Sequence, residues 1–170
     1  TIAAQVVREG DANAATTSLY LLALDPLGDV GLQDHDVVVI AQAALASPHA
    51  EVRGLAGEWL EQHQPSLLAG PARTLILDSD ERLRGHVWRA YYREQPDAAH
   101  SAALALLGDE SMDVAVRQSA LLAYGEHTPT ADATDALAYF VTHPAEALPM
   151  EAAQLMFRQH RHPVIATAAA

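Results

Sequence analysis

Asp113-Val-Ala-Val-Arg117-Gln-Ser-Ala-Leu-Leu-Ala-Tyr-Gly125 is the stretch on which the reading of the fold turns. Its residues Val116, Ala120, Ala123 and Tyr124 fall at i, i+4, i+7 and i+8, the spacing that lays an apolar stripe along one face of an α-helix. The same register recurs to the N-terminal side, as Val52, Ala56, Trp59 and Leu60 and then as Leu83, Val87, Ala90 and Tyr91, and again as Pro149, Ala153, Met156 and Phe157. Each of the first three stripes opens on an aligned segment: Ser47-Pro-His-Ala-Glu-Val-Arg53, Asp78-Ser-Asp-Glu-Arg-Leu-Arg84 and Ser111-Met-Asp-Val-Ala-Val-Arg117. The arginines fall 31 and 33 residues apart, and Pro65, Pro96 and Pro129 each follow one of them by 12.

The prolines are punctuation. Proline cannot continue the helix before it, and Ser66, Asp97 or Thr130 just after it can cap the next one through a side-chain oxygen. The pattern predicts paired helices at 36–46 with 50–63, 65–78 with 80–94, 96–108 with 111–126, and 129–143 with 146–160. Gly70-Pro71 is expected to kink or split the helix over 65–78. A further pair, 1–9 with 12–24, precedes a loop from Asp25 to Asp36. The expected organisation is therefore a single all-α domain over 1–163, built of about five two-helix units at 1–32, 33–64, 65–95, 96–128 and 129–162. Residues 164–170 read as a flexible Ala-rich tail. A lone unit of this kind cannot bury its stripe, whereas stacking buries it against the next unit.

The stretch Ala103-Leu-Ala-Leu-Leu-Gly-Asp109 followed by Asp113-Val-Ala-Val-Arg117 resembles a HEAT-like repeat of the short phycobilin-lyase type: a Leu-rich helix, an acidic turn, and a second helix opening with Val-Arg. The resemblance covers roughly residues 36–160. It departs from the pattern at Thr16 and Met150, which stand where the arginine would be, and the unit is shorter than the ~40–47 residues usual for HEAT. The tetratricopeptide and ankyrin signatures are absent. What the resemblance implies is a right-handed α-solenoid of about five HEAT-like repeats, with Arg53, Arg84 and Arg117 as a structural ladder bonding the carbonyls and acids of neighbouring turns. Arginine's planar fork suits that work.

Composition bounds the function. The chain has 170 residues, half of them apolar, enough for a sizeable core. Acidic residues number 22 against 10 basic ones, all arginine, for a formal charge of −12. Arginines scattered from Arg8 to Arg161 within so negative a field do not suit a phosphate backbone, so no nucleic-acid partner is expected. No apolar run approaches the roughly 18 residues of a membrane span, and no membrane partner is expected. Without cysteine there is no thiolate chemistry, and the compartment stays open. The chain opens on Thr1, which fits a processed form or a domain of a longer protein.

No catalytic set emerges. Gly-rich phosphate loops, Gly-x-Ser-x-Gly elbows and cysteine nucleophiles are missing, and no cofactor is implied. The densest histidine groups, Asp34-His35-Asp36 and His160-Arg-His162, lack zinc-helix spacing, so no metal site is expected. His63, His127 and His160 fall near predicted helix ends, where a partly positive imidazole suits the carbonyl-rich terminus.

If the stripes face the core, the opposite side of the second helices should form the inner surface of the solenoid. Trp88, Tyr92, Leu121 and Leu122 would then make an apolar patch rimmed by Glu58, Glu61 and Arg89, the composition of a binding hot spot. The expected function is a non-catalytic interaction scaffold holding a protein or peptide on that face, a basic one given the negative field. The alternative, which the resemblance implies, is a lyase or accessory subunit of a tetrapyrrole-handling or other enzyme complex.

Overall fold

The computed structural model describes residues 34–128, with side chains from residue 37 onward. Every regular element among them is a helix: α1 (Asp34–Ala44), α2 (Ala50–His63), α3 (Ser66–Ala69), α4 (Ala72–Leu75), α5 (Glu81–Glu94), α6 (Pro96–Gly108) and α7 (Val114–His127). The units expected over 1–32 and 129–162, the tail over 164–170 and the His160–His162 group lie outside the described residues.

The boundaries follow local chemistry. Asp80 and Asp113 accept hydrogen bonds from the backbone N–H of Leu83 (2.7 Å) and Ala115 (2.8 Å), which satisfies otherwise unpaired donors at the starts of α5 and α7. Pro96 opens α6, where a missing N–H costs nothing. Gly70 and Pro71 divide the predicted 65–78 helix into the short α3 and α4.

The chain divides into two compact units, residues 1–95 and 96–170. In the first, Ile40 and Ala44 of α1 meet Val52 and Ala56 of α2. The opposite side of α2 lies close on α5, and two glycines allow it: a Cβ at Gly57 would come within 2.6 Å of Leu83 Cδ1, and one at Gly54 within 3.0 Å of Asp80 Oδ1. In the second unit α6 packs on α7. Ala99, Ala103, Leu106 and Leu107 are buried on α6, as are Val116, Ala120, Leu121, Ala123 and Tyr124 on α7.

Packing in the first unit centres on one helix. α5 is the common partner of α2, α3 and α4, with α2 against α5 the most extensive contact. A stack of HEAT-like repeats would instead pass its contacts on in sequence from pair to pair and leave one side of each second helix open. On α5 the buried face is wide: Leu83, Arg84, Val87, Trp88, Ala90, Tyr91 and Tyr92 are all buried, an arc of about 200° at 3.6 residues per turn, and the remainder carries the exposed Arg82, Arg89 and Arg93. The HEAT-like resemblance and the right-handed α-solenoid of about five repeats are therefore corrected to an all-α architecture in which one hub helix is the shared packing partner of its neighbours. The stripe read from the sequence is real but too narrow. It takes Leu83, Val87, Ala90 and Tyr91 for the whole buried face, whereas Trp88 and Tyr92 continue that face.

Candidate functional site

The predicted binding patch is interior. Trp88 retains 2 % of its exposure, Tyr92 8 % and Leu121 none, while Leu122 is half-buried. The Trp88 ring lies 6.3 Å from that of Tyr91 and 6.1 Å from that of Tyr92, so the aromatic residues form a cluster inside the first unit. Trp88 and Tyr92 belong to that unit and Leu121 and Leu122 to the other. The expected exposure of Trp88, Tyr92 and Leu121 is corrected by their burial, and the solenoid groove that was to hold a partner goes with it. The alternative of a tetrapyrrole-handling subunit rested on the HEAT-like resemblance and loses that support.

The expected rim is a clamp between α2 and α5. The Arg89 guanidinium donates to both Glu61 carboxylate oxygens at 3.0–3.1 Å, and His86 Nδ1 sits 2.7 Å from Glu61 Oε2. The same Nδ1 lies 2.8 Å from Arg89 Nη2, so one ring nitrogen of His86 meets both the acid and the guanidinium of the clamp. Arg93 donates to the Glu61 backbone carbonyl, and Arg82 pairs with Glu58 at 3.6 Å. Burial pushes the Glu61 pKa up, but hydrogen bonds from Arg89 and His86, with the attraction of Arg89, outweigh it and hold the carboxyl below its ordinary value. Sequence reasoning misses His86 and Arg82. The available signal is that Arg82, His86, Arg89 and Arg93 fall at i, i+4, i+7 and i+11, one edge of α5.

The three aligned arginines reach back to backbone carbonyls that precede their helices, in the connecting turn for Arg53 and Arg84 and in the last turn of α6 for Arg117. Arg53 donates to the Ser47 carbonyl (2.9 Å), Arg84 to that of Asp78 (2.7 Å) and Arg117 to that of Leu107 (2.9 Å). Arg53 also holds Asp78 with two parallel bonds of 2.8 and 2.9 Å. Each arginine thus carries its charge inward, and Arg84 and Arg117 are buried. His63 Nδ1 donates to the Trp59 carbonyl at 2.8 Å at the end of α2, beneath the stacked Trp59 ring.

This inward draw of positive charge shapes the surface of the α6–α7 hairpin. Its described carboxylates are Asp97, Asp109, Glu110, Asp113 and Glu126, all at least partly exposed, whereas the arginine it carries, Arg117, is buried. In the connecting turn Asp109 accepts from the Ser111 backbone N–H (3.0 Å) and hydroxyl (2.6 Å). These bonds lower its pKa and keep it ionised. Leu104 of α6 and Val114 of α7 remain 44 % and 43 % exposed beside these acids in sequence.

Among the described residues no group of three histidine or carboxylate side chains is placed to share a metal ion, and Asp34-His35-Asp36 lies in the first turn of α1. No described helix is long and apolar enough to cross a membrane. Among the described residues the geometry defines an all-α chain with an interior aromatic cluster in one unit and an acidic helical hairpin in the other. The chain matches no family model, no curated protein and no solved structure.

Proposed function

We propose that the protein works by binding, and that the exposed acidic surface of the α6–α7 hairpin receives a basic segment of a protein partner. One observation carries the reading: the described carboxylates of the hairpin face solvent while its arginine is buried against the Leu107 carbonyl. The surface is therefore more negative than the composition implies. The net charge of −12 adds a long-range field of the same sign, which steers a cationic partner and repels an anionic one. No groove is required, and the interior aromatic residues take no part.

The test is a fluorescence-anisotropy titration of the full chain with a labelled Arg/Gly-repeat peptide at low and near-physiological salt. Saturable binding is expected to weaken as salt screens exposed charge, and the Glu110→Lys/Glu126→Lys variant should bind at least tenfold more weakly. Both residues are exposed, and far-UV circular dichroism checks that the variant folds. Absence of saturable binding at low salt, or equal affinity in the two proteins, overturns the proposal.

A further inference from the structure

We infer that the segment received by the hairpin is a basic amphipathic helix, docked at the end closed by the α6–α7 turn. Its apolar side would rest on Leu104 and Val114 and its basic residues would meet Glu110 and Asp113. The inference rests on the binding reading above and specifies its partner.

The surface follows from residue placement. On α6 the exposed positions Asp97, Ser101, Leu104, Ala105 and Gly108 fall at i, i+4, i+7, i+8 and i+11, a single stripe left outside the core formed by Ala99, Ala103, Leu106 and Leu107. α7 begins with exposed Val114 and Ala115. The turn over 109–113 returns the chain, so the C-terminal part of α6 and the first turn of α7 share one end of the hairpin. That end also carries Asp109, Glu110 and Asp113. Among the described residues three large apolar side chains are exposed, Leu77, Leu104 and Val114, and two of them belong to this end. A single exposed leucine needs no explanation. Two exposed apolar residues flanking an acidic turn are complementary to a segment that carries both apolar and basic residues.

Backbone chemistry selects a helix. The hairpin offers no strand edge, so an extended segment pressed on it would lose water from N–H and C=O groups that the surface cannot pair. A helix arrives with those groups already bonded. It also sets an apolar and a basic residue side by side at i and i+3 or i+4.

Two labelled peptides of identical Leu, Ala and Arg composition distinguish this inference from the reading beneath it. One places its leucines on a single helical face, and the other disperses them. At near-physiological salt the amphipathic peptide is expected to bind the full chain at least tenfold tighter than the dispersed one and to gain helical circular dichroism on binding. It should lose at least tenfold affinity for Leu104→Gln/Val114→Gln, changes that keep helix propensity at exposed positions. The dispersed peptide should bind wild type and variant alike. If both peptides bind wild type equally, or the variant leaves the amphipathic peptide unaffected, the helix inference fails and the charge reading stands. If neither peptide binds even at low salt, both fail. A wild-type dimer that the same double variant dissociates would assign the apolar pair to a second copy of the chain and overturn the inference.

Discussion

Two acidic turns in this molecule look alike in sequence and use their charge in opposite ways. Asp78-Ser-Asp-Glu81 leads into α5 and Asp109-Glu-Ser-Met-Asp113 into α7, and in each a later aspartate caps the helix that follows. In the first turn Asp78 is gripped from 25 residues upstream by the paired bonds of Arg53, so its charge fastens α2 to the start of α5. In the second, Asp109 is bonded within the turn by Ser111, and Glu110 and Asp113 face solvent. The acidity of a turn thus does not reveal whether its charge holds the fold or faces outward. What decides is whether a guanidinium from another helix reaches it.

The comparison can be broken or sharpened by substitution. The largest effect is expected on the α5 side. Trp88→Ala empties a buried ring site and should cost about 3–5 kcal/mol in chemical denaturation. Trp88→Phe keeps most of the ring and deletes an indole N–H that meets no acceptor among the described residues, so it should cost clearly less. A Trp88→Ala protein as stable as wild type would return this residue to the surface and undo the hub. Next, Gly57→Ala sets a methyl against fully buried Leu83 and should destabilise by about 1–3 kcal/mol. Gly108→Ala at the end of α6, where a Cβ meets nothing within 4 Å, should be neutral or slightly stabilising.

The turns themselves can be compared through one pair of variants. Asp78→Asn leaves Arg53 without its carboxylate and should cost about 1–3 kcal/mol, less than a fully buried pair because both side chains keep some contact with water. Asp109→Asn should leave the denaturation midpoint nearly unchanged. Equal losses would abolish the distinction between the two turns.

The smallest effect expected is one of pH. The folded pKa of Glu61 lies below its ordinary value. The stability it contributes is therefore complete above the unfolded value of roughly 4.3, and is lost as pH falls through the lower folded value. Midpoints measured between neutral and acid pH should fall on the acid side for wild type and fall less for Glu61→Gln. An identical acid limb in the two proteins would remove Glu61 from the clamp.

Much of the secondary structure is legible in the chain. The period of Val116, Ala120, Ala123 and Tyr124, the prolines at 65 and 96, the break at Gly70-Pro71 and the aspartates before α5 and α7 are local signals, and each acts within a few residues of itself. The candidate site is less legible. Glu61 and Arg89 stand out as charged residues, yet that they bond each other and recruit His86 follows from the approach of α2 to α5, which Gly54 and Gly57 permit.

The sequence by itself determined that the described chain is helical, where its helices begin and end, and that its net field is negative. Those properties depend on hydrogen bonds and periodicities between near neighbours and on a sum over residues, neither of which requires knowing what packs on what. Tertiary structure alone decided that α5 gathers α2, α3 and α4 around itself, that Trp88 and Tyr92 lie inside, and that Arg117 is buried while Glu110 and Glu126 stay in water. A periodic stripe fixes the centre of a helix's buried face. The width of that face is set by how many neighbours enclose it, and residues distant in sequence settle that number.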